Sequence, residues 1–288
     1  MTLTLFGLGL LYVIFIAALI AAGVGAVMVL VIAAGVAALQ LLFGDKLALR
    51  SMGARVTEPA EAPELHEMIE LLCQLADLPK PKVAVAETDL PNAFAAGHNR
   101  KSATVCVTTG LMQRLTPAQL EGVIAHELSH IANRDVVVMT VAGFLATVAG
   151  LLVRIGVYSG VGGRGSKNGA ALFMVVVLVS VLVYVLSFLL LRALSRYREF
   201  AADRGAAIIT GAPAELASAL ATISGTIDRV PTRDLRAAEG MNAFFIIPAV
   251  SKGLSLSSLV STHPPVEKRI ERLMAMQATL DATPSAAL

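Results

Sequence analysis

Two of the five histidines, His126 and His130, stand four residues apart in the stretch HELSH, with Glu127 beside the first. Positions i and i+4 of a helix share one face, so both imidazoles project toward one point. There they can grip a single divalent ion of the zinc type, while Glu127 reaches a water beside it. A hydrolytic metal centre keeps three protein ligands and leaves a position for water. The segment SRYREFAADRG offers the third ligand in Glu199, followed at the same helical spacing by Asp203. Each of these residues also has a plain reading. Helix histidines can be satisfied by solvent or backbone, Glu199 can pair with Arg196 or Arg198, and Asp203 with Arg204. Asp203 can equally accept a hydrogen bond from a ligand histidine and fix its tautomer.

What must position these residues depends on where the membrane lies. Of 288 residues, 56% are hydrophobic and only 15% charged, with a mean hydropathy of +0.74. A soluble domain carries about 25% charged residues, so this is the balance of an integral membrane protein. A net charge of +2, with no basic run interleaved with aromatics, excludes nucleic acid as the partner. From Met1 to Gly44 there is no charged side chain. A helix of that length would run roughly 65 Å, about twice a 30 Å hydrocarbon core, which predicts two crossings with a turn near Gly23–Val24–Gly25. A cleaved signal peptide fits less well, because no Lys or Arg precedes the apolar run.

Two more uncharged runs, Val136–Val153 and Gly169–Leu191, predict a second membrane hairpin, joined by the Gly- and Ser-rich link RIGVYSGVGGRGSKNG. The expected organisation is a transmembrane hairpin over 1–44 and a polar part over 45–135. A second hairpin follows over 136–191, with its loop at 154–168, and then a polar part over 192–288. Four spans put both polar parts on one side of the bilayer. Lys46, Arg50, Arg55, Arg192, Arg196 and Arg198 flank that side, against Arg154, Arg164 and Lys167 in the loop, which favours the cytoplasm.

Within the polar parts, 57–79 reads as an amphipathic helix through Leu65, Met68, Ile69 and Leu72, with His66 a solvated surface residue. Residues 82–88 and 103–110 read as strands. Between them LPNAFAAGHNRK is a loop or short edge strand, with Phe94 either exposed or a buried anchor and His98 in a turn. Thr116, Pro117 and Gln119 form a helix start with a capping box, and nothing obvious stops that helix before the apolar run at Val136. It could therefore run on into the third span. His130 lies six residues before that span and Glu199 eight after the fourth, so the two meet at one level, roughly 9 and 12 Å from the membrane edge. Asn133, Arg134 and Asp135 would be costly in hydrocarbon, which argues against a site-2-type intramembrane protease. A non-enzymatic scaffold, chaperone or transporter would not need the complete set of ligands and base. Cys73 and Cys106 form no CxxC pair and read as buried apolar residues.

PNAFAAG, TTGL, HELSHIANRD, SRYREFAAD and STHPPVEKRI, together with the two hydrophobic pairs, resemble the HtpX-type membrane zinc metallopeptidases. Their wider group includes the CAAX prenyl endopeptidases. The resemblance implies an integral membrane α+β protein, with about four transmembrane helices and a zincin-like cytoplasmic metalloprotease domain containing a small β-sheet. It implies one Zn2+ per chain held by His126, His130 and Glu199, with Glu127 as general base. His263, otherwise a loop histidine, would donate to the oxyanion with Arg269 in support, and Asn92, Ala93 and Phe94 would lie on the strand that pairs with an extended substrate. Implied substrates are proteins or peptides, chiefly misfolded or damaged membrane proteins in the cell membrane, with prenyl-protein processing as the alternative. Self-cleavage is an expectation for 161–168 and 282–288. Substrate identity and oligomeric state are not legible.

Overall fold

The structure, a computed structural model, describes residues 2–21, 26–158, 167–227 and 263–282. The expected turn at 23–25 and most of the expected cleavage segments fall outside these residues. In chain order the elements are α1 (Thr2–Ala21), α2 (Ala26–Ser51), β1 (Ala54–Val56), α3 (Pro63–Leu75), β2 (Lys82–Ala86), β3 (Ala93–Ala96), β4 (Thr104–Thr108) and α4 (Thr109–Met112). After them come α5 (Pro117–Ala132), α6 (Asp135–Tyr158), α7 (Lys167–Thr210), α8 (Pro213–Ile227) and α9 (Val266–Ala282). The chain is mostly helical with one small mixed sheet.

Two compact units divide it: Met1–Leu42 with Val137–Ser195, and Phe43–Val136 with Arg196–Leu288. The described residues of the first are all helical. Phe15 packs with Val148, Ala149 and Val183, and Leu8 with Ala142 and Leu194. Its outward positions are apolar too: Val141, Leu178 and Leu182 are exposed. A helix apolar on all faces suits lipid better than water. Among the described residues one helix, Met174–Thr210, is long and apolar enough to cross a membrane. Arg154–Tyr158, expected in the link, extend α6.

The second unit is built on the sheet, in the order β1-β2-β4-β3. β1 and β3 pair antiparallel with their neighbours, and β2 runs parallel to β4, so β3 is an edge strand. All five residues of β4 are buried, as suits a central strand covered on both faces. Ile69 and Leu72 of α3, Val123, Ile124 and Leu128 of α5, Leu216 and Leu220 of α8 and Leu273 of α9 join it in one core. Two glycines let helices approach α5 closely. A Cβ on Gly122 would meet the Leu216 backbone at 3.1 Å, and one on Gly205 would meet Ser129 Cβ at 2.9 Å.

Two expectations are corrected. His66 is buried, not solvated, and its Nε2 lies 3.1 Å from the Thr57 carbonyl oxygen. The reason is register: α3 begins at Pro63, which puts His66 on the face of Ile69 and Cys73. The HELSH helix is not continuous with the next. Asn133 caps α5, Arg134 takes φ +53°, and α6 starts afresh at Asp135.

Candidate metal centre

The local sequence of α5 fixes where its histidines stand. Thr116 Oγ1 accepts from the Gln119 N–H at 3.3 Å, Gln119 Oε1 accepts from the Thr116 N–H at 3.0 Å, and Pro117 occupies the first turn. With its first turn closed, the helix buries Val123, Ile124 and Leu128 in the core of the second unit. His126 and His130 reach Glu199 and Asp203 of α7, and Glu127 reaches Ala95 of β3. The imidazoles of His126 and His130 meet edge to face, their centroids 4.7 Å apart and their Nε2 atoms 3.2 Å apart.

Glu199 of α7 completes the group. Its Oε2 lies 3.7 Å from His126 Nε2 and its Oε1 3.7 Å from His130 Nε2. Ligand atoms of the three residues all fall within 4.8 Å of one another. A tetrahedral ion with bonds of about 2.05 Å needs its ligand atoms about 3.3 Å apart, close to these spacings. The outer partners decide which nitrogens face inward. His126 Nδ1 lies 3.0 Å from Asp203 Oδ1, and His130 Nδ1 is hydrogen-bonded to Asp135 Oδ2. A carboxylate only accepts, so each Nδ1 carries the proton and each Nε2 is the nitrogen left to face Glu199. Two imidazole nitrogens and a carboxylate oxygen thus converge at one point. This donor set fits a metal ion.

The remaining predicted residues gather here, apart from part of the substrate strand. Glu127 Oε2 accepts from the Ala95 N–H at 2.9 Å. Burial raises its carboxyl above the ordinary range, while His126 and His130 pull the other way. Burial opposes charge on His130, but its hydrogen bond to Asp135 and the nearby Glu199 raise its pKa overall. His263 Nδ1 lies 3.1 Å from Glu199 Oε2. Arg269, wholly buried, donates from Nε and Nη2 to Asp203 at 2.9 and 2.6 Å, and its Nη1 lies 3.4 Å from Glu199. Desolvation alone would weaken that charge, yet Asp203 and Glu199 raise the Arg269 pKa.

Of the expected substrate strand, Ala93 and Phe94 lie in β3, but the Phe94 side chain packs in the core with Ala48, Ala84 and Cys106. It anchors the strand and is not exposed. Asn92 is fully buried, with its N–H on Thr108 Oγ1 and its carbonyl accepting from the Thr108 N–H. Three residues at the site were missed from the sequence. Ala95 holds the glutamate through its backbone, which no side-chain pattern reveals. Asp135 and Arg198 form a 2.8 Å ion pair behind His130. A carboxylate just beyond HELSH was the available signal for that pair.

A buried His–His–Glu centre against the edge strand of a small sheet, with a long apolar helix carrying its glutamate, defines a membrane metallopeptidase. The model of peptidase family M48 matches residues 59–277, and the chain belongs to that family. It is 53% identical to Protease HtpX homolog 2 of Methanosarcina mazei over 277 residues, 96% of this chain and 94% of that protein. Protease HtpX homolog 1 of Streptomyces coelicolor is 53% identical over 286 residues, covering 99% and 94% respectively. The crystal structure of S. mikatae Ste24p shares the fold, with a TM-score of 0.57 at 20% identity, over 92% of this chain and 62% of that one.

Proposed function

We propose that the protein is a zinc-dependent endopeptidase in which His126, His130 and Glu199 hold the ion and Glu127 is the general base. The observation that carries this is the convergence of both Nε2 atoms on Glu199, with each Nδ1 committed to a carboxylate. Nitrogen-rich ligation at tetrahedral spacing suits zinc better than magnesium or calcium, which prefer oxygen. When bound, the metal supplies Lewis acidity that polarises the scissile carbonyl and acidifies the attacking water.

The chain's own groups do the rest. Glu127, its carboxyl raised by burial and its orientation set by the Ala95 N–H, takes the proton of the attacking water and delivers it to the leaving amine. An extended substrate adds to β3 as a further strand, held through its backbone, so sequence selectivity is broad. Ala93 and Phe94 contribute main chain to that strand, and the buried Asn92 fixes its start. His263 stands beside Glu199 and donates to the oxyanion, while Arg269 and Asp203 orient His126 and Glu199.

The uncharged stretches and all-helical first unit support four spans, and the basic flanks support a cytoplasmic active site. A backbone-reading site fed from the membrane suits the removal of misfolded or damaged membrane proteins. The test is cleavage of an unfolded membrane protein by the purified chain in detergent. Wild type is expected to cleave in a chelator-sensitive manner, Glu127→Gln to retain zinc without cleaving, and Glu199→Ala to lose zinc. Equal cleavage by wild type and Glu127→Gln would overturn the mechanism.

A further inference from the structure

The break between α5 and α6 has a function that a simple helix end would not need. On a continuous helix, a side chain five residues beyond His130 would lie about 140° around the axis, out of reach of that histidine. Instead Asn133 ends α5, and Arg134, an exposed non-glycine residue, adopts φ +53°. The left-handed region is unfavourable for an L-residue with a side chain. Such strain persists only where the surroundings impose it. Its effect is to start a new helix with Asp135 turned back onto the site.

Asp135 is 4% exposed. One carboxylate oxygen receives His130 Nδ1, and the other lies 2.8 Å from Arg198 Nε. Arg198 directly precedes Glu199 on α7. One buried carboxylate thus touches the second histidine and the neighbour of Glu199. Asp203, paired with Arg269, stands in the same relation to His126.

We propose that Asp135, aimed by the left-handed backbone of Arg134, is a positioning residue for the metal. It holds His130 with the proton on Nδ1 and the Nε2 lone pair inward, and through Arg198 it fixes the turn of α7 that carries Glu199. This rests on the reading that His126, His130 and Glu199 bind the ion. The simpler role, an acidic residue in the first turn of α6, predicts no effect on the ligand field.

Substitutions separate the two. Ser at 135 keeps a small polar residue in the first turn of α6 but is too short to reach His130, whereas Asn retains an acceptor for the Nδ1 proton. The variants are made in full-length Glu127→Gln protein in detergent, which avoids cleavage during the measurement. Zn2+ affinity is read by chelator competition and the ligand field by the visible spectrum of the Co2+ form. Asp135→Ser is expected to weaken Zn2+ binding about 10–100-fold and to alter the Co2+ spectrum. Asp135→Asn is expected to bind more tightly than Asp135→Ser. Arg134→Gly, which accepts the left-handed region freely, should match the parent, and Arg134→Ile should weaken binding.

Parental affinity and spectrum in Asp135→Ser, alongside loss of Zn2+ in Glu199→Ala, overturns this proposal and leaves the metal assignment standing. Full affinity in Glu199→Ala overturns the assignment itself. If Asp135→Ser does not fold, the decision passes to Arg134→Ile, and parental affinity in that variant overturns the proposal.

Discussion

Arg269 has no exposed surface, and three carboxylates act on its charge: Asp203, Glu199 and Glu127. Arg269→Met would leave the buried Asp203 without its ion-pair partner. Removing one partner of a buried ion pair costs about 3–5 kcal/mol, so this variant should melt well below wild type in a thermal scan. Arg269→Lys keeps the charge but not the two-pronged contact with Asp203, and should fall between the two. A Lys variant as unstable as Met would mean that fork geometry, not charge, is what matters. The cysteines make a second residue-scale case. Burial pushes the Cys106 thiol up to about 12 and the Cys73 thiol to about 11. A raised thiol pKa favours the neutral form, so at pH 8 roughly one thiol in a thousand or fewer is a reactive thiolate. Maleimide should label neither cysteine in folded protein at pH 8 and both after denaturation. Rapid labelling of the native chain would contradict the burial.

At the scale of elements, α5 is the part everything else must fit. Gly205 lets α7 approach it beside Ser129, the residue before His130. In an exposed helix Gly→Ala gains up to about 1 kcal/mol. At Gly205 the new Cβ would sit 2.4 Å from Ser129 Oγ and 2.9 Å from its Cβ, and overpacking typically costs about 1–3 kcal/mol. Overpacking wins, so Gly205→Ala should lower both the melting temperature and zinc occupancy, and adding Ser129→Gly should restore part of each. A single variant as stable as wild type would show that α7 can shift without disturbing the site. The same scale shows what could be read in advance. The α5 start was legible because Thr116, Pro117 and Gln119 are local signals. Strands β2 and β4 were legible through β-branched runs, although 82–88 and 103–110 overshoot them. The α5–α6 break was not legible. No Gly or Pro marks it, and an arginine in the left-handed region is a choice made by tertiary contacts to Asp135. His66 was misread for a related reason: its burial depends on a carbonyl nine residues earlier that only the folded chain brings close. The histidine pair and Glu199 stood out by spacing, whereas Ala95 acts through a backbone N–H that every residue but proline carries.

For the whole molecule, the open question is sidedness, and the buried thiols make it answerable. Because Cys73 and Cys106 should be silent in the folded state, the natural chain already serves as a background for single introduced cysteines. Ala60 is exposed in the second unit, between β1 and α3. Ser166 belongs to the link between the two apolar runs of the second hairpin. Four spans with the active site in the cytoplasm require these positions to lie on opposite faces of the bilayer. The basic flanks predict the orientation, since six Lys and Arg residues border the polar parts against three in the link. In intact cells an impermeant maleimide should therefore label Ser166→Cys, and it should label Ala60→Cys only after lysis. Labelling of both positions from outside would mean an even number of crossings between them, zero included. Labelling of Ala60→Cys alone would invert the topology and place the metal centre, with its substrates, outside the cytoplasm.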